Sequence, residues 1–141
     1  MPTMDTVIDF SDAVVNTKRG GEIRILLSPK SGGSSTGLMG VVTLAPGEFV
    51  SEHYHPYSEE HLYVMSGRPV LRIEGSPVPL APRQAILVPK GIRHRLENPS
   101  SDPVEVVFHL CPLAPAPELG HVDTEEPPGS RATRPDGEPT R

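Results

Sequence analysis

The chain has 141 residues, 13 basic and 18 acidic side chains and a formal net charge of −5, a length that fits one domain able to bury its own core. The acidic balance argues against nucleic acid as a partner, which needs a concentrated basic surface. The absence of tryptophan, with only three phenylalanines and three tyrosines, argues against a base-stacking platform. The single cysteine, Cys111, excludes an intramolecular disulfide framework. With no charged and apolar leader after Met1, it suits a reducing cytoplasm, and no apolar run approaches the ~20 residues of a membrane span.

Eighteen prolines and 13 glycines count against long helices, because proline removes a backbone donor and glycine costs helix entropy. In chain order, residues 1–20 read as an N-terminal arm in which "FSDAVVNTKRGG" (Phe10 to Gly21) can start a short helix with Ser11 as its cap. Eight short runs rich in branched residues follow: Glu22 to Ser28, Gly37 to Ala45, Phe49 to His55, His61 to Gly67, Val70 to Gly75, Ala85 to Pro89, His94 to Asn98 and Val104 to Leu110. Turn-forming stretches such as "APGE", "EGSP", "PKG" and "NPSSDP" divide them. Regular spacing of short strands predicts an all-β sandwich or barrel over residues 21–112. Seven prolines lie after Phe108, and there the apolar alternation stops. Residues 113–141 therefore read as a proline-rich tail, mobile or laid on the surface from about Glu118, or as an arm that reaches a second subunit through Leu113 and Leu119. "SPKSGGSSTG" lacks the residue order of a phosphate-cradling loop.

Chemistry concentrates between Gly47 and Gly67, in "GEFVSEHYHPYSEEHLYVMSG". Side chains two apart on a strand share a face, so His53 and His55 point together and Tyr54 points away. Glu60 starts the next strand, and "PKGIRHRLEN" places His94 just after a tight turn. Imidazoles and a carboxylate from three strands facing one interior would suit Zn, Fe, Mn, Ni or Cu.

The order and spacing Gly47, His53, His55, Glu60, Gly67, then Pro89, Gly91, His94, Asn98 resemble the two motifs of the cupin superfamily. The resemblance implies a jelly-roll barrel with a metal at its inner face. One departure is Arg83, where the second motif usually opens with glycine. The motif match carries the metal role to His53, His55 and His94. The fourth position is open among Glu60, His61 and His109. His61 follows Glu60 directly and is expected to face outward. His109 lies in the apolar run "VVFHL", on a strand that the jelly-roll order places beside the one bearing Glu60. The ligand set expected here is His53, His55, His94 and His109, with Glu60 as catalytic base or proton shuttle; if His109 is a wall residue, Glu60 replaces it. His121 is assigned to the tail, without a role.

"SEHYHPYSEEHLYVMSG", "VPKGIRHRLEN" and "VFHLCPLAPAPELGHVDTE" together resemble the single-cupin cyclases of bacterial aromatic polyketide pathways, such as those for tetracenomycin and resistomycin. This implies metal-dependent aldol cyclisation and aromatisation of a poly-β-ketone, with zinc as the first choice of metal and iron, nickel or manganese as others. Met39, Met65 and Phe108 are expected to line the substrate cavity. Lys90, Arg93 and Arg95, beside His94, are expected to meet an acidic acyl carrier protein, and a homodimer fits proteins of this shape. The same ligands would also serve a metal-dependent dioxygenase, and a non-catalytic binding cupin is a third reading.

Overall fold

The computed structural model describes residues 6–130. All eight predicted strands form, within a residue or two of the expected ends. They are β2 (Glu22–Leu27), β3 (Leu38–Leu44), β4 (Phe49–Tyr54), β5 (Glu59–Ser66), β6 (Val70–Ile73), β8 (Ala85–Val88), β9 (His94–Glu97) and β10 (Val104–Cys111). Three further strands are β1 (Val15–Asn16), β7 (Ser76–Pro79) and β11 (Val122–Asp123). They pair as two antiparallel sheets, one in the order β1-β2-β3-β10-β5-β8 and the other β11-β4-β9-β6-β7. The two sheets face each other across one apolar interior, as a jelly roll requires.

Alternation decides which residues enter that interior. On β5, Glu60, Leu62 and Val64 are buried while Glu59, His61, Tyr63 and Met65 are exposed. Beside it on β10, Val104, Val106 and Phe108 are buried. Leu44, Val64, Leu71, Val104 and Val106 are fully shielded, each contributing ~1.5–3 kcal/mol of transfer free energy. The Phe108 ring lies across Gly40, where a Cβ would stand 2.7 Å from it, so the glycine makes room for the aromatic ring.

The turn residues of the two motifs tie the sheets' ends together. Asn98, buried, donates Nδ2 to the carbonyls of Leu44 (3.0 Å) and Asp102 (2.8 Å) and accepts from Ser100 N–H (3.1 Å). Gly47 N–H donates to the Asn98 carbonyl at 2.8 Å, joining the start of the first motif to the end of the second. Gly67 takes φ +85°, and a Cβ there would come within 2.5 Å of the Pro103 carbonyl oxygen. Arg83 adopts φ +71°, the left-handed conformation for which glycine is favoured. The departure from the motif therefore leaves the turn's backbone shape intact.

Two expectations change. The helix foreseen after Phe10 is a single 3-10 turn, Phe10–Asp12, preceded by Asp9, and Ser11 lies inside it without a capping bond. β7 carries Pro77 and Pro79 and went unrecognised for that reason; it is an edge strand paired only with β6, where a missing N–H costs no ladder bond. The tail from Glu118, expected to be mobile or laid on the surface, lies on the barrel through β11 on β4 and the bond from Gly129 N–H to the Lys18 carbonyl. The expectations for residues 1–5 and 131–141 fall outside the described residues. No helix among the described residues is long and apolar enough to cross a membrane.

Candidate metal centre

His53, His55, Glu60 and His94 are buried together, and one donor atom from each lies within 4.8 Å of the others. The imidazoles come from the five-stranded sheet and the carboxylate from the six-stranded one. His53 on β4 and His94 on β9 are direct cross-strand partners, with ring centroids 4.3 Å apart. His55, just past the end of β4, follows on the same face, 4.9 Å from His53, and its carbonyl accepts from Gly91 N–H at 2.9 Å. The Pro89–Gly91 turn thus locks to the first motif where the rings converge. Glu60 enters from β5 on the face that also carries Leu62 and Val64.

Each ring is held by its Nδ1. His53 Nδ1 pairs with the Ser51 carbonyl (2.7 Å), His94 Nδ1 with the Ile92 carbonyl (2.9 Å) and His55 Nδ1 with the Gly120 carbonyl (2.8 Å). A carbonyl only accepts, so each Nδ1 carries a proton, and wherever the ring is neutral its Nε2 presents a lone pair. His94 Nε2 faces Glu60 Oε1 at 2.9 Å, while His55 Nε2 is buried 3.7 Å from Glu60 Oε2 without a hydrogen-bond partner. Buried polar atoms without partners are costly. Converging imidazole nitrogens plus one carboxylate are the donor set of a divalent transition metal, so the residues present fit such an ion.

Burial, then the charges of His94 and His121, push the His53 imidazole far below the ordinary histidine value. Burial also lowers His55, against the opposing pull of Glu60. Burial lowers His94 too, but the adjoining Glu60 carboxylate and the Ile92 carbonyl outweigh it and leave His94 raised. Two of the three rings are thus kept neutral, the state in which imidazole ligates.

The fourth expected imidazole is elsewhere. His109 is exposed, opposite His61 on β5 and Met39 on β3, with its ring 5.6 Å from that of His61. β10 does neighbour β5, as expected, but His109 follows inward-facing Phe108 and so points out. Glu60 holds the place that His109 was expected to fill. Met39 and His109 line a groove of about 290 Å³ that contains no member of the cluster. Met65 is 48 % exposed and also faces outward, leaving Phe108 as the interior member of the three expected substrate contacts. A second groove, of about 600 Å³ beside Gly21 and Pro128, is likewise remote from the cluster. Lys90 and Arg93 are exposed on the turn before β9. Arg95 is not free with them: it pairs with Glu97 and Glu125 and stacks 3.8 Å over the Phe49 ring.

His121, assigned no role from sequence, lies over the cluster. Its ring stacks on His53, 4.3 Å away and inclined by 12°, and its Nε2 is 2.6 Å from Asp123 Oδ1. Burial and the charge of Arg19 lower it to about 4. The signal was present in "HVD", an alternation of two polar side chains about an apolar one, but two residues of strand are too few for periodicity to register.

The cupin domain family matches residues 40–110, half of the chain and the part that carries all four clustered donors. The chain belongs to the cupin family. This cupin is 49% identical to protein SchB of Streptomyces halstedii, over 85% of the chain and 87% of SchB. It is 48% identical to polyketide synthase CurC of Streptomyces cyaneus, over 86% of the chain and 79% of that protein. It is 47% identical to tetracenomycin polyketide synthase protein TcmJ of Streptomyces glaucescens, over 91% and 86%. Among solved structures, the polyketide cyclase RemF of Streptomyces resistomycificus superposes with a TM-score of 0.71 over 89% of this cupin and 91% of RemF. At 17% identity that likeness speaks for the fold.

Proposed function

We propose that this cupin is a metal-dependent polyketide cyclase, closing a ring in a poly-β-ketone by intramolecular aldol addition and dehydration. The observation that carries the reading is the buried three-imidazole, one-carboxylate cluster in a chain 47–48% identical, over most of its length, to two proteins named for polyketide synthases. When bound, a divalent metal, zinc foremost, supplies Lewis acidity toward a substrate carbonyl oxygen.

The chain's own groups do the rest. His53, His55 and His94 present lone pairs fixed by their Nδ1 bonds, and Glu60 is the fourth donor. A methylene between two carbonyls is already acidic, and the Glu60 carboxylate, which would offer the metal one oxygen, is the base that would take its proton on the other. The freed electron pair forms the new carbon–carbon bond at a second carbonyl of the same chain, whose oxygen takes up a proton. Loss of water then drives the ring to aromaticity. Phe108 and Leu62, on the inner face near Glu60, supply the apolar wall that holds a flexible chain in one reactive fold. Lys90 and Arg93 are the contact for an acidic carrier protein. Exposed Tyr63, Met65 and Leu87 on β5 and β8 support a homodimer through that sheet face.

The test is metal analysis of chelator-free protein together with product analysis on a carrier-bound poly-β-ketone. Near-stoichiometric zinc and a cyclised aromatic product are expected. Oxygen consumption in step with substrate loss, and no ring closure, would move the reading to a dioxygenase.

A further inference from the structure

Two of the three clustered imidazoles are oriented by their own local segments, since His53 and His94 each bond a carbonyl two residues upstream. His55 is different. Its Nδ1 is held by the Gly120 carbonyl, 65 residues later and beyond the family's matched span of 40–110. The same segment seats the His121 ring flat on His53 and pairs Asp123 with His53 in the ladder of β11 on β4. A loose tail would hold neither ring. This one is fastened beyond the cluster: Thr124 N–H donates to the Glu52 carbonyl at 3.0 Å, Thr124 Oγ1 to the Glu52 carboxylate at 2.7 Å, and Glu52 N–H to the Glu125 carboxylate at 2.7 Å. Glu125 also accepts from Arg95 Nε at 2.8 Å, and Gly129 N–H reaches the Lys18 carbonyl at 2.9 Å.

We propose that the C-terminal arm from Gly120 to Glu125 is a positioning element of the metal centre, orienting His55 through the Gly120 carbonyl and bracing His53 through the His121 ring. Partners of this kind fix the tautomer and direction of a ligating imidazole, and their loss typically weakens metal affinity roughly 10- to 100-fold. The arm's anchors, Thr124 and Glu125, thereby act on metal binding without touching a donor atom. The inference rests on the cluster holding a metal, as proposed above.

The experiment measures zinc affinity by chelator competition, and the visible spectrum of the cobalt(II)-substituted protein, in the full chain. Two variants release the arm by different routes: Thr124→Pro removes the N–H that bonds Glu52, and Glu125→Ala removes the acceptor for Glu52 N–H and Arg95. Both are expected to bind zinc about 10- to 100-fold more weakly, with an altered cobalt spectrum and an unchanged metal-free circular dichroism spectrum. Glu125→Gln, which keeps one acceptor oxygen, is expected to restore most of the affinity. Wild-type zinc affinity and an unaltered cobalt spectrum in both release variants would overturn the inference, as would loss of the metal-free fold in them, which would make the arm a folding element. Failure of the wild type to bind either ion would instead sink the metal reading itself.

Discussion

Glu60 and His61 are neighbours on β5, and Phe108 and His109 are neighbours on β10, yet within each pair one side chain faces the interior and the other the outside. Inside, the Glu60 carboxylate meets three imidazoles in a shielded space where charges and lone pairs must satisfy one another. Outside, the rings of His61 and His109 stand 5.6 Å apart, with water available to both. The residue types are those of a metal site on either face. Burial and convergence, set by strand parity, separate a candidate centre from two surface histidines.

The largest effect expected from breaking this comparison is at His94, the most deeply buried of the three rings. His94→Ala removes one donor and leaves Glu60 facing two rings, so metal content should fall from near-stoichiometric to trace, and cyclisation should fall with it. Elemental analysis of the variant beside the wild type checks this; full retention of metal would remove His94 from the ligand set. Next is Glu60→Gln, which keeps the shape but removes the charge and the basic oxygen. A base contributes about 10²–10⁴-fold, so kcat should drop within that range while metal is retained more weakly; a variant with undiminished kcat would clear Glu60 of the role of base.

Acid sharpens the contrast in a different way. In the metal-free protein His53, His55 and His121 lie below the ordinary value of 6.5, His121 at about 4. As pH falls below 6.5 the unfolded chain takes up protons at these positions that the folded chain refuses, so stability is present above 6.5 and declines on acidification. His94, raised, works in the opposite sense: its contribution is full below 6.5 and disappears as pH climbs through its raised value. Three lowered groups against one raised predict a falling thermal midpoint between pH 6.5 and 4 in the presence of chelator. His53→Gln should make that fall shallower, and a midpoint independent of pH over the interval would contradict the assignment.

Much of this was legible in the sequence because it rests on local rules. Branched runs between proline and glycine turns marked eight strands, and the parity of His53 and His55 placed both on one face. His109 was misplaced because "VEVVFHL" is apolar at both parities around Val106 and Val107, so its pattern does not declare an inner side. The neighbour relation between β10 and β5 was right; the face was not. β7 hid behind Pro77 and Pro79, whose tolerance depends on being at an edge, a property of the whole sheet. The arm was illegible for a related reason: β11 exists because β4 offers an unpaired edge and Glu52 a set of partners, and nothing within "GHVDTEE" announces where those partners are.

The smallest effect is expected on the outer face, and it is the control that gives the comparison its force. His109→Ala removes a ring that is exposed, contributes no donor to the cluster and has its cross-strand partner His61 equally in solvent. A surface substitution away from caps, turns and buried polar groups changes stability by less than about 0.5 kcal/mol, and His61→Ala should do the same. Metal content and ring-closing activity should match the wild type in both. Were His109→Ala to lose its metal while His61→Ala kept it, the face of β10 would have to be the reverse of the one seen here, and Phe108 would have to leave the core. Since Phe108 packs into the space above Gly40 and within the buried cluster of valines and leucines, that reversal would also cost the core one of its largest apolar side chains, so loss of metal without loss of stability is the one outcome that neither arrangement of β10 can produce.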